Sequence, residues 1–244
     1  MTERLDWVDR YVAGERDQVW HEMRQLGSRV RDAAFASEAQ AVCDEMAGLA
    51  RSNIETLISR LRQQGYRFHK NDDDQTPTEP YAAPGPQAEE HLRWLEERLG
   101  PLPMALSSWI RIVGDVWLVG THPEWTGSAA ADPLVLEVAG SRYDDGDIRE
   151  YFAGEIEAWQ EEQDEPFVLP LAPDHFHKDN VSGGAPYGIL LPDACADAHF
   201  VGEAGMPFVS YLNWVFQYGG FPRPTGDQAQ WRVTYQLRKD LHRL

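Results

Sequence analysis

Two histidines separated by one residue, His175 and His177, sit in the segment APDHFHKDNVSGGAP. On an extended strand both imidazoles would point to one side. With Asp174, Asp179, His199 or Cys195 they would then offer ligands to a transition metal and make a metal-dependent enzyme the alternative reading. No HExxH helix and no paired CxxC accompanies them, so the competing reading is a loop whose histidines hydrogen-bond the backbone while Ser182, Gly183 and Gly184 turn tightly. The segment also lacks the strand-then-helix context of a glycine loop that cradles phosphate. Asp72, Asp73 and Asp74 are successive, without the spaced ligands and turn glycine of a calcium loop. There is no GxSxG elbow, and Cys195 lies between Asp193 and Asp197, whose charges raise a thiol pKa. No catalytic residue and no cofactor is assigned, and the expectation is a non-enzymatic protein.

The stronger chemical signal is charge. The 244 residues carry 40 acidic and 22 basic side chains, a net of −18. That sign disfavours nucleic acid and anionic membrane as partners and suits a basic protein. Acidic surfaces also serve solubility. The distribution is uneven: up to Arg67 there are 11 acidic against 10 basic residues, whereas Asp144 to Glu165 holds ten acidic residues and one arginine. Within that run Ile148, Phe152, Ile156 and Trp159 share one face of a helix, and Asp147, Glu150, Glu157 and Glu161 share another. Like charges at such spacings repel by a few tenths of a kcal/mol per pair. A stripe that costs stability points to a partner-binding face; a merely solvated face is the other reading. Aromatics near Trp125 are expected to be exposed and to anchor the partner.

The elements that would position these residues are legible. Leu5, Val8, Val12 and Trp20 suggest a short first helix interrupted near Gly14, and from Ser28 to Gln64 an apolar stripe runs through Val30, Ala34, Ala41, Val42, Met46, Leu49, Ile54, Leu57 and Leu61. Tyr66 to His69 reads as a short strand, Asn71 to Pro86 as a loop or linker, and Gln87 to Leu99 as a helix. Gly100, Pro101 and Pro103 stop that helix and seed another, which ends at Gly114. Val116 to Val119 and Leu134 to Val138 read as paired strands, and Phe167 to Leu171 and Tyr187 to Leu191 as further strands. Met206 to Tyr218 reads as a helix. Trp231 to Leu237 fits either period, and the start at Asp227 and Gln230 favours a helix. No basic-then-apolar leader opens the sequence, and no apolar run reaches the ~18 residues of a membrane span. Two cysteines, Cys43 and Cys195, suggest a reducing cytoplasm.

The opening Leu102-Pro103, Gly114 before a strand, Trp117, Gly120 and Asp132-Pro133-Leu134 resemble the SUKH superfamily, which includes yeast cell-wall regulators and many bacterial toxin-immunity proteins. The run His177 to Gly184, Leu191-Pro192-Asp193 and the stretch Phe208 to Gly220 ending Gly-Gly-Phe-Pro are similar to uncharacterised bacterial relatives of that group. The resemblance covers about residues 90 to 222 and rests on turns, caps and aromatics. It implies an α+β fold: a helical N-terminal region (1–68), a loop or linker (69–86) and a SUKH-like domain (87–244) with a twisted, mainly antiparallel sheet backed by helices. It further implies an immunity protein that binds a cognate, basic, nuclease-type toxin, or an intracellular regulator or scaffold. It carries over no catalytic residues.

Overall fold

The computed structural model describes residues 6–141, 147–162, 166–202 and 205–244. The expected contributions of Leu5, Asp144, Asp145, Asp164 and Glu165 lie outside the described residues. Helices α1 (Trp7–Val12), α2 (Arg16–Leu26) and α3 (Ala36–Gln63) open the chain, with a tight helical turn at Gly27–Arg31 between the last two. Val12 does not face the core: it is exposed, while Trp7 and Tyr11 are buried instead. The long stripe is also cut, because the chain is irregular between Arg31 and Ala36 and leaves Ala34 exposed. In α3 the inward residues are Ala39, Val42, Cys43, Met46, Ala47, Ala50, Ile54, Leu57 and Leu61, at three- and four-residue steps.

A clasp closes α1 on α2. The Glu22 carboxylate accepts from Trp7 Nε1 and from both Arg10 Nη atoms, each at 2.8 Å. Hydrogen bonding to Arg10, then to Gln18, holds the Glu22 carboxyl down at about 2, below its ordinary 4.5. Its stabilising contribution is therefore complete above pH 4.5 and lost as pH falls through 2. Thermal midpoints of the protein and of Glu22→Gln are expected to differ at pH 6 and to converge toward pH 2; a gap that stays constant would show that the clasp contributes no ionic stability.

After α3 come β1 (Arg67–Phe68), β2 (Tyr81–Ala82), α4 (Ala88–Leu99) and α5 (Met104–Ser108), whose helix continues as a wider turn over Trp109–Val113. Strands β3 (Asp115–Trp117), β4 (Gly120–Thr121) and β5 (Val135–Leu136) follow, then α6 (Asp147–Glu162). The last third holds β6 (Phe167–Ala172), α7 (His175–Lys178), β7 (Tyr187–Leu191), β8 (His199–Val201), β9 (Met206–Pro207), α8 (Phe208–Gln217) and α9 (Gln228–Leu237). The strands form β1–β4, β2–β3–β5 and β6–β7–β8–β9, and every pairing among them is antiparallel. The protein is α+β. Asp227 caps α9 by accepting from the Ala229 N–H at 2.8 Å, which decides the ambiguous C-terminus for helix.

The stretch expected to be a linker is stitched into the sheet. Tyr81 and Ala82 pair with Val116 and Asp115, and His69 bridges Pro77. Gly114 makes that approach possible: at φ +92° a side chain is disfavoured, and a Cβ there would stand 2.2 Å from the Ala82 carbonyl oxygen. The N-terminal helices dock on the sheet portion and share one apolar core with it. Arg24 donates to the buried Asp197 carboxylate at 2.6 and 2.8 Å, and Arg31 donates to the Ala194 and Leu102 carbonyls. Among the described residues no helix is long and apolar enough to cross a membrane.

Candidate functional site

Helix α6 is amphipathic in the sense its sequence predicts. Ile148, Phe152 and Ile156 are buried, and the partly buried Trp159 packs its ring 5.3 Å from Phe167. Glu150, Glu157 and Glu161 are exposed on the outer side; Asp147 begins the helix, and its side chain lies outside the described residues. The one basic residue of the helix, Arg149, is turned away from this line. It donates to Glu90 on α4 at 3.0 Å and sits 5.9 Å over the Trp94 ring. Among the described residues Glu150, Glu157 and Glu161 have no ion-pair partner. No ion pair among the described residues offsets their negative field.

Trp125 does not anchor this face. It is 1 % exposed, lies edge-on to Phe221 at 5.4 Å, and its Nε1 reaches Thr225 Oγ1 at 3.3 Å. The polar residues around it mark a surface turn, but that turn folds back through the His122–Trp125 bridge, and a large indole gains most by burial. The exposed aromatic on α6 is Tyr151, 47 % accessible and adjacent to Glu150. It lines a groove of about 570 Å³ between α6, β6 and the loop after β6, together with Ile148, Pro170, Ala172, Pro173, His177 and Pro186 among others. Sequence reasoning missed this groove. Its signal was the proline spacing on both sides of the histidine segment, which gives strand ends and a loop but no shape.

The histidine segment is not a strand. It forms a helical turn, α7, capped by Asp174. The Asp174 carboxylate accepts from the His177 N–H at 2.8 Å and from the Gly184 N–H, and lies 2.7 Å from His177 Nδ1. Burial raises its pKa, but the bonds from His177 and Gly184 outweigh that and leave it below the ordinary value. A Cβ on Gly183 would stand 2.5 Å from the same carboxylate, so the turn depends on glycine. At the other end of α7, Lys178 Nζ lies 2.5 Å from Asp132 Oδ1 with both side chains buried, and 4.8 Å over the Tyr187 ring. Asp132 holds a left-handed φ of +55° and also meets the Tyr187 hydroxyl at 3.5 Å, which in turn lies 3.2 Å from His175 Nδ1. This cluster is closed to solvent at Lys178 and Asp132 and pins the loop that forms the groove wall.

His175 is thus engaged with Tyr187 and His177 with Asp174, while His199 is an exposed residue of β8. Among the described residues no three His, Cys, Asp or Glu side chains are grouped to hold a metal. The helical turn is the reason: it rotates His175 and His177 about 200° apart instead of aligning them. Burial raises both thiols, Cys43 and Cys195, well above the ordinary range, with Asp193 adding to the effect at Cys195. Neither supplies a thiolate at neutral pH.

A second exposed surface lies on α9. Trp231 and Tyr235 are 67 % and 52 % accessible and one turn apart, and Arg238 and Lys239 approach the Tyr235 ring at 5.3 and 5.1 Å. The alternating and helical periods overlap in this segment, so its outward aromatics were legible only once the helix was established. Set against known proteins, the chain matches no family model, no curated protein and no solved structure.

Proposed function

We propose that this chain is a non-enzymatic, cytoplasmic binding protein that docks a basic protein partner on the outer face of α6, as an immunity protein does when it neutralises a nuclease-type toxin. The observation that carries the reading is the line Glu150, Glu157 and Glu161, exposed and without an ion-pair partner among the described residues, while Arg149 is diverted to Glu90. Such a field steers an oppositely charged partner and raises its association rate. A nuclease must be basic where it grips phosphate, so occlusion of that surface by carboxylates would abolish activity. The SUKH-like motifs between residues 90 and 222 support the same role.

The test is a pull-down of tagged protein from its native lysate, with Glu150→Lys/Glu157→Lys as the matched control. One basic protein, retained near stoichiometrically, released by salt and lost with the control, is the expected result. If that protein is a nuclease, its activity should be inhibited by the chain and restored with the control variant. Partners retained equally by both would overturn the role of α6.

A scaffold that holds two partners is the second reading, and α9 is the observation that favours it. Its exposed Trp231 and Tyr235, with Arg238 and Lys239 beside them, offer an aromatic and cationic surface of opposite character to α6. Co-retention of a second, acidic protein that is lost on Trp231→Ser would favour the scaffold.

A further inference from the structure

We infer that the groove beside α6 takes one large apolar side chain from a basic segment of the protein partner, so that recognition requires an apolar anchor flanked by lysines or arginines. The inference rests on the proposed docking role of α6 and adds the anchor that the buried Trp125 cannot provide.

Three observations meet at this place. The groove is mainly apolar, with carbon from Ile148, Pro170, Ala172, Pro173 and Pro186 beside the polar Glu137 and His177, and its volume of about 570 Å³ is ample for a leucine or phenylalanine side chain. Tyr151 lines it, half exposed, with its ring 5.6 Å from that of the buried Phe152. A half-exposed aromatic beside a buried ring is the type of residue on which interface energy concentrates. Acidic residues lie close by: Glu150 precedes Tyr151, the exposed Glu155 follows Tyr151 by one helical turn on its side of α6, and Glu137 is part of the lining.

Charge complementarity identifies the occupant. A neutral apolar peptide would fill the groove but leave the carboxylates uncompensated, and an acidic one would be repelled. A basic segment satisfies both at once, its apolar side chain in the groove and its cations over Glu150 and Glu155. The opposite wall does not need to move to admit it. It is formed by the loop from Pro173 to Pro186, which the Asp174 bonds to His177 and Gly184 and the Lys178–Asp132 pair already hold in place. Preorganisation of this kind lowers the ordering cost of binding.

The experiment uses three short fluorescent peptides on the full chain at low salt, read by anisotropy: lysine-rich with a central Leu-Phe, lysine-rich with a central Gly-Ser, and glutamate-rich with a central Leu-Phe. The expected result is binding of the first about tenfold or more tighter than the second, the effect of burying one large apolar side chain, and no binding of the third. Tyr151→Ser and Pro186→Lys, both at exposed positions, should each remove the preference for Leu-Phe while leaving the weaker, salt-sensitive binding of the Gly-Ser peptide. Thermal unfolding of the two variants verifies that each is folded. Equal affinity for the two basic peptides, or an unchanged preference in both variants, would overturn the groove and leave the acidic face standing. Basic peptides that bind unchanged to Glu150→Lys/Glu157→Lys, or fail to bind the native chain at all, would instead overturn the reading of α6 on which the groove rests.

Discussion

Replacement of Lys178 by methionine is expected to destabilise the protein by about 3–5 kcal/mol, the cost of leaving a buried charge without its partner. Methionine keeps the volume and the apolar stem but removes the ammonium that lies 2.5 Å from Asp132 Oδ1. Among the described residues, the Asp132 carboxylate then keeps the Tyr187 hydroxyl, at 3.5 Å. Asp132→Asn leaves Lys178 charged and unpaired, and a comparable loss is expected. Asparagine tolerates the left-handed backbone at this position, where φ is +55°. The double variant Lys178→Met/Asp132→Asn buries no charge and should recover much of the loss, because a buried pair contributes far less in total than either half costs when orphaned. Urea denaturation midpoints of the four proteins close the cycle. Single variants that fall within about 0.5 kcal/mol of the native chain, the range of ordinary surface substitutions, would remove the pair from its role as the pin of the loop. The consequence reaches the groove, since α7 packs on the turn at Ala129–Ala131 and that contact is locked by this pair.

Charge reversal on α6 is expected to act on the rate of association. Glu150→Lys with Glu157→Lys changes the local charge by four units on a face where, among the described residues, neither carboxylate has an ion-pair partner. Against a basic partner isolated with the native chain, the association rate should fall about tenfold or more at low ionic strength, within the range for electrostatic steering. The dissociation rate should change less, because exposed carboxylates contribute modestly once contact is made. The difference should shrink toward 1 M salt, where the screening length is about 3 Å. Stability is expected to stay the same or rise slightly, since the substitutions relieve repulsion along one helix line. Stopped-flow association at two salt concentrations measures this directly. An unchanged rate at low salt would assign the acidic stripe to solvation alone.

Most helices, several strands and many inner faces were legible from local spacing. The three- and four-residue spacing of Ile148, Phe152 and Ile156, and of Leu92, Leu95 and Leu99, is a local property of one helix, and all six are buried. The strands at Val116, Val135, Phe167 and Tyr187 were equally legible, because a β-branched or apolar run between turn residues suffices to mark them. The outward acidic line on α6 followed from the same periodicity.

Tertiary structure alone decided three things. It buried Trp125, because exposure at a turn depends on what folds over it, here Phe221 and Thr225 from the far end of the chain. It drew Tyr81 and Ala82 into the sheet against Val116 and Asp115, although the polar, proline-containing run from Asn71 to Pro86 carries no local strand signal. It also fixed the histidine segment as a helical turn: the Asp174 bond to His177 is a local cap three residues on, but the bond to Gly184 closes a loop that no spacing rule encodes. In each case the deciding partner lies beyond the local period, and the groove between α6 and that loop exists only where the two surfaces meet. Periodicity reports which way a residue faces on its own element; what it faces is set by contacts distant in sequence.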